Sequence, residues 1–506
     1  MKRYRIDNNL GTIRGGSAIA SNYLPLAKLI AEERRSASLS LSEVALRMRK
    51  AARAESEYCG ADRKTIHDYE QGRIPHPDGL RWLAMALDLP LDQLVAASLQ
   101  QRTNRQVPSA RESAGALAAR DPEPRLDLAE GIRMWLEASL SYHPRLAATL
   151  EALFALCRAD LGGYGGPVCA PFSLGALIRA SRDWLHDHTN RSPIGRAAAE
   201  DGKVRTETIR DVFSAFQGLD TKHGGGHGRL ALIQYLSSYV LPLFDASRAA
   251  GARSESPLSA DPGLCAASGE MLYLAGLTAF DTGALGLAER YFVQALRLSE
   301  EARDTAFAAN VIAGMSHLAI FSGCGEQAVH LARTGLAGAQ DEGVPSLLMR
   351  LHVMEARGQA LLGDSLKSAA AMSRAETALG DSDQAGEPHW TRFLDLAFLA
   401  GEMSQCFCDL NQPRSGEQVA RESINASGER GRRRMLSQAT LAVSYLQQGD
   451  LEHACAAGAR ALELIEGGVR SSRAIHEIRS LQRWLDGYRG EGTVRTFNEQ
   501  VRELLG

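Results

Sequence analysis

Residues 59–77, CGADRKTIHDYEQGRIPHP, bring Arg63, Lys64, His67 and Arg73 together in a chain that is elsewhere mostly Ala, Leu, Gly and Arg. Side chains of these types donate to base edges and phosphate oxygens, so the chemistry on offer is recognition of a polyanion. Asp62 is a natural N-cap, which puts Arg63 and Lys64 in the first turn of a short helix. Cations there oppose the positive end of the helix dipole, an arrangement that makes more sense if an anion arrives. Ile66 and Tyr69, three apart, are expected to anchor the helix inward and leave Lys64, His67, Asp68 and Gln71 outward. Gly72 ends the helix, and Arg73 follows in a turn bracketed by prolines.

The flanking segments supply the elements that would hold this helix. LPLAKLIAEERR aligns Leu26, Leu29 and Ile30 on one face. Ser40 and Glu43 have capping-box spacing at the start of a second helix. In that helix Val44, Met48 and Ala51 or Ala52 form the inner stripe, and Arg47, Arg49, Lys50 and Arg53 project elsewhere. DGLRWLAMALDL and LDQLVAASL add two helices that close a small core around Leu80, Leu83, Leu87 and Leu94. Five short helices with a cation-bearing third helix fit the major groove of B-DNA. The expected DNA face is Arg63, Lys64, Thr65 and His67, with Arg73, Arg47, Lys50 and Arg53 on phosphates. The plainer alternative is a solvated helix face with incidental charges.

TIHDYEQGRIP resembles the recognition helix and following turn of the XRE (lambda-repressor-like) helix-turn-helix family. The match runs through Thr65, Ile66, Tyr69, Glu70, Gly72 and Arg73. The chain departs from the pattern before this helix, where KAARAESEYCGADR lengthens the usual short turn by about ten residues. From residue 24 onward, including FSAFQGLDTKHGGGHGRLALIQYLSSYVLPLF at 213–244, the chain resembles long actinobacterial regulators. In that group an XRE-type domain precedes a tetratricopeptide-like region, and some members are implicated in control of development and secondary metabolism. The resemblance implies a transcription regulator and leaves its target open.

At 506 residues the chain is long for a single core. Its net charge of −3 hides an asymmetry, because residues 1–110 carry 17 Lys and Arg against 12 Asp and Glu, while the remainder carries 40 against 48. A basic first fifth joined to an acidic body points to a polyanion partner for the first part alone. No run approaches eighteen consecutive apolar residues, so no membrane span is expected. The N-terminus lacks an apolar core of the kind a secretory signal needs. Eight scattered cysteines suit reduced thiols in a cytosol.

The last half of the chain repeats. Turn residues Gly283, Gly323, Gly363, Asn411 and Gly449 fall 40, 40, 48 and 38 positions apart. Four are followed five positions later by a small residue, Ala288, Ala328, Gly416 or Ala454. A Gly or Asn can take the left-handed conformation that ends one helix, and the small residue lets the next pack closely. This pattern predicts stacked helical hairpins of tetratricopeptide type, with an irregular bundle as the alternative.

The predicted fold is therefore all-α. It comprises a flexible basic arm at 1–23, a five-helix helix-turn-helix domain at 24–101, a linker at 102–124 and a helical middle domain at 125–245. A second linker at 246–263 leads to a tetratricopeptide-like α-solenoid at 264–506.

Other candidate chemistry is weaker. His223 and His227 flank Gly224, Gly225 and Gly226, with Asp220 nearby and His186 and His188 upstream. Three consecutive glycines break any regular helical histidine pair, which favours a tight turn over a metal site. GGYGGP at 162–167 lacks the Lys and Ser or Thr of a phosphate loop. Cys406 and Cys408 point to different faces of one helix. No nucleophile-base or paired-carboxylate arrangement stands out, so neither catalysis, metal nor cofactor is expected. The expectation is a cytoplasmic, homodimeric, sequence-specific regulator binding double-stranded DNA. Its repeat domain would mediate dimerisation and sense a peptide or small-molecule effector. The rival reading is an interaction scaffold or receptor in which DNA binding is secondary.

Overall fold

The computed structural model describes residues 26–54, 59–71, 73, 75, 77–89, 94, 136–143, 145–163, 170–190, 200–244, 261–383 and 385–505. The arm at 1–23, the linker at 102–124, Gly72 and most of 246–263 lie outside these residues, as do 164–167 and all of the fifth short helix except Leu94. Every regular element among the described residues is helical. Contacts divide the chain into two compact units, residues 1–129 and 130–506.

In the first unit, α1 (Leu26–Ser36), α2 (Leu41–Ala54), α3 (Arg63–Glu70) and α4 (Pro77–Leu87) surround one core. Leu26, Ile30, Val44, Met48, Ile66 and Leu83 are fully enclosed there, with Trp82 nearly so. Ser40 and Glu43 form the expected reciprocal cap, the Ser40 N–H donating to Glu43 Oε2 at 2.7 Å and the Glu43 N–H to Ser40 Oγ at 3.2 Å. The lengthened α2–α3 connection begins as helix, since α2 runs through Lys50 to Ala54.

The second unit begins with α5 (Leu146–Leu161), α6 (Leu174–Asn190), α7 (Glu200–His223) and α8 (Arg229–Tyr235). Six antiparallel pairs follow. They are α9 (Pro262–Asp281) with α10 (Leu285–Glu301), α11 (Thr305–Phe321) with α12 (Gly325–Ala339), and α13 (Pro345–Leu361) with α14 (Ser365–Gly380). Next come α15 (Leu396–Asp409) with α16 (Pro413–Ala426), α17 (Gly431–Gln447) with α18 (Leu451–Glu466), and α19 (Ser472–Leu485) with α20 (Gly492–Leu505). The turn residues Gly283, Gly323, Gly363, Asn411 and Gly449 all have positive φ, between 55° and 83°. Ala288, Ala328 and Ala454 are wholly buried, and Gly416 sits so close to α17 that an added Cβ would lie 2.8 Å from Ser444 Oγ.

First helices of successive pairs stack on one another, α11 on α13, α13 on α15 and so on to α19. The array comes round far enough for its ends to meet: Arg473 lies over the Phe280 ring at 4.7 Å, and the Ser471 hydroxyl donates to Asp281 at 2.8 Å. Helix α9 is the one described helix long and apolar enough to cross a membrane. It is enclosed by protein along nearly its whole length, which accounts for its low polarity.

The middle helices have no core of their own, in contrast to the separate domain expected at 125–245. They share one apolar cluster with α9 to α15. Polar bonds cross the join as well: Arg290 on α10 donates to the carbonyls of Leu136 at 2.9 Å and Pro171 at 3.0 Å, and Gln294 donates to that of Ser139 at 2.6 Å. Glu270 on α9, nearly inaccessible, accepts from Arg210 of α7 at 3.1 Å and pairs with His389 at 3.0 Å. Each contact replaces lost hydration of a buried polar group.

Glu289, like Gln294 with its Oε1, is only partly matched in this join. Its Oε2 accepts the Ser173 N–H at 2.7 Å, but its Oε1 is buried without a hydrogen bond among the described residues. Burial pushes its carboxyl up to about 8, with the Ser173 N–H, Arg290 and Arg179 pulling the other way. The folded state thus holds this proton more tightly than the unfolded chain does. Stability should fall as pH rises from the ordinary carboxylate range through about 8. Glu289→Gln is expected to melt like the parent near pH 5 and to be more stable by an order of a few kcal/mol above pH 8. Thermal melts at the two pH values check it, and equal melting at both refutes the buried carboxyl.

Candidate nucleic-acid interface

Helix α3 is built from a short-range code. The Asp62 carboxylate accepts the Thr65 N–H at 2.7 Å, and the Asp62 N–H donates to Thr65 Oγ1 at 3.3 Å. The Thr65 hydroxyl, which also donates to this carboxylate, and the Thr65 N–H hold the Asp62 carboxyl below its ordinary range. Ile66 and Tyr69 point into the core. At the far end Glu70 is clamped by Arg34 of α1 through two bonds, 2.5 Å from Nε and 3.2 Å from Nη2. Bidentate pairing of this kind fixes geometry as well as adding energy. It ties the end of α3 to α1 across 36 residues.

With two anchors and two clamped ends, the opposite face of α3 is left to solvent. Arg63, Lys64, His67 and Gln71 are exposed there. Asp68 is half-buried and reaches Arg73 at 3.6 Å, while the Arg73 side chain stays 67 % exposed. Lys50 and Arg53 are exposed on α2, which packs against α3. Arg47 is also exposed and makes one long bond to the Ala86 carbonyl at 3.4 Å. Arg49 turns inward instead, donating to the Ala61 carbonyl just ahead of the α3 cap.

Two details change the sequence reading. Thr65 is spent on the cap, its hydroxyl donating to Asp62 at 2.7 Å, so it is a structural residue before it is a reader. Asp62 also supplies an anion at the α3 N-terminus from within the chain. Arg63 and Lys64 therefore do not by themselves call for an external one. Their exposure, not the dipole, is what leaves them available. The Arg34–Glu70 clamp was not foreseen, although Glu70 stands in the quoted motif.

The glycine-rich segment at 219–229 is a docking turn. Gly224 has φ +85°, and a Cβ there would lie 2.4 Å from the Arg470 carbonyl oxygen. The Gly225 N–H donates to Asp281 at 2.9 Å, and the Arg470 N–H to the His223 carbonyl at 2.6 Å. His227 Nε2 bonds the Gly468 carbonyl at 2.7 Å. Asp220 pairs with Arg432 at 2.9 Å; burial pushes its carboxyl up to about 6 against the pull of Arg432. His186 is exposed on α6, and the side chain of His188 is not among those described. No group of three or more His, Cys, Asp or Glu among the described residues could hold a metal. The described cysteines are all free, and burial pushes the thiols of Cys157 and Cys406 up to about 12, so neither is a ready nucleophile.

Compared with known protein families and with curated proteins, the chain matches no family model and no curated sequence.

Proposed function

We propose that the chain is a cytoplasmic, sequence-specific DNA-binding transcription regulator of XRE helix-turn-helix type. Its helical-repeat body, of tetratricopeptide kind, would mediate homodimerisation and sense an effector, and no catalysis is assigned. The observation that carries this reading is the face of α3, held by Ile66, Tyr69 and two clamped ends, presenting Arg63, Lys64 and His67 to solvent. Those side chains would read base edges in the major groove. Arg73, Lys50, Arg53 and Arg47 would meet phosphates on either side.

The test is a salt titration of the full chain on duplex DNA enriched from a random pool. Two copies with four phosphate-facing cations each would cover about eight phosphates. Affinity should then drop on the order of 10³- to 10⁵-fold between about 50 and 200 mM salt. The enriched sequence should be preferred over scrambled duplex by about 10³-fold or more. Weak binding indifferent to sequence would favour a second reading, an interaction scaffold or receptor. A pocket among the first helices of the pairs supports that alternative.

A further inference from the structure

Among the described residues, the buried apolar side chains of the second unit form two clusters rather than one. The first runs from Leu136 to Cys406, and the second from Ala420 to Val501. The break falls inside α16, where Val419 packs against the first cluster and Ala420 belongs to the second. Where the ends of the array meet, α17 packs on α7 and α19 on α9, so the two bodies touch again there.

The charges buried at this joint are sorted by side. Asp220, Asp281 and Glu402 belong to the first body, and Arg432, Arg433 and Arg473 to the second. Arg432 reaches Asp220 at 2.9 Å and Asp281 at 4.0 Å. Arg433 reaches Glu402 at 3.2 Å, and Arg473 lies 3.6 Å from Asp281. Two of these guanidiniums also cover rings of the first body, Arg473 over Phe280 at 4.7 Å and Arg433 over Phe398 at 5.0 Å.

Local structure does not ask for this arrangement. The three arginines stand in the first turns of α17 and α19, which hold no acidic residue, and Asp281 ends α9. Each of these charges opposes the dipole of its own helix. Among the described residues the counter-charges of all three arginines come from the first body alone. The joint is also incompletely filled. A cavity of about 230 Å³, open to solvent on one side, lies in it, lined by Phe321, Leu361 and Glu402 from the first body and Leu436, Arg473 and His476 from the second. Packed cores leave few voids larger than a water molecule.

We propose that residues 427–505 swing as one body about α16, with the three arginines as a latch that opens and closes the cavity. Polar interfaces within a chain allow such motion by default. Opening hydrates the paired charges, and for buried ion pairs the cost of desolvation is close to what the pairing returns, so the two states lie near in free energy. The inference stands apart from the DNA reading of the first unit.

Small-angle X-ray scattering on the full chain tests it. Arg432→Met/Arg473→Met leaves Asp220 and Asp281 buried without a cation while the joint is closed. That penalty should shift the balance toward the open form on the order of 10²- to 10³-fold. The radius of gyration should rise while circular dichroism shows parental helix content. A disulfide supplies the converse: a Cβ on Gly283 would lie 3.8 Å from Ser472 Cβ, about the usual separation across a bridge. Gly283→Cys/Ser472→Cys should bridge readily in the parent background with glutathione disulfide, as peptide mapping reads. Added to the arginine variant and oxidised, it should return the radius to the parent value, and its reduced form should stay expanded. Comparing the two redox forms of one chain cancels the strain of a side chain at the Gly283 φ of +83°. A bridge that forms in the parent but not in the arginine variant marks the same opening. Four results overturn the proposal: a parental radius in the arginine variant, loss of its helix content, an expansion that the mapped bridge does not reverse, or no bridge in the parent background.

Discussion

Arg63→Ala and Lys64→Ala are each expected to weaken binding to the preferred duplex by about 1–3 kcal/mol, roughly 5- to 150-fold. Both side chains are exposed and neither takes part in the caps or anchors of α3. Their removal should therefore leave melting within about 0.5 kcal/mol of the parent. Ile66→Ala makes the contrast. Ile66 is wholly buried, so its truncation should cost about 2–5 kcal/mol of stability in the first unit and lose DNA binding only through unfolding. Fluorescence anisotropy on labelled duplex, paired with thermal melts, separates the two. Undiminished binding in both arginine and lysine variants would move the reading face elsewhere. Unchanged melting in the isoleucine variant would mean that α3 does not seat as described.

Gly224→Ala should be the most damaging single-methyl change in the glycine-rich turn. Its φ of +85° is in the left-handed region, and the added Cβ would lie 2.4 Å from the Arg470 carbonyl oxygen and 2.9 Å from its carbon. A left-handed non-glycine residue costs about 1–2 kcal/mol, and overpacking against fixed backbone about 1–3 kcal/mol more. The sum, about 2–5 kcal/mol, should lower the melting of the second unit by several degrees. Gly323→Ala is the matched control. It has φ +71° with open space around the Cβ, so only the backbone term applies, about 1–2 kcal/mol. If the two variants melt alike, the turn at 224–227 is not docked against the 467–471 segment.

These predictions draw on different ranges of the chain. The α3 anchors and its Asp62 N-cap, the Ser40–Glu43 capping box and the positive-φ turns of the helix pairs were legible in the sequence, because each is set by residues within about five positions. Spacing of small and turn residues carried the helix pairs for the same reason. The sixth pair and the join between the middle helices and the array were not legible. Arg290, Gln294 and Arg297 on α10 are buried against backbone carbonyls more than a hundred residues away. Hydropathy has no symbol for a polar side chain whose partner is a distant loop. A separate middle domain was expected because the segments at 102–124 and 246–263 read as linkers.

By itself the sequence determined that this chain is helical and where its helices stop. It also set the residues that turn inward in the first unit and the excess of cations there. Those properties follow from side-chain volume, capping chemistry and period. Only the tertiary structure decided which charges are spent and which are left over. It committed Thr65 to Asp62 and Glu70 to Arg34, matched Glu402 with two arginines, and left Arg63, Lys64, Asp409 and Glu477 without hydrogen-bond or ion-pair partners among the described residues. A charge is neutralised by whatever lies within a few ångströms of it, and that neighbour is chosen by packing, not by position in the chain.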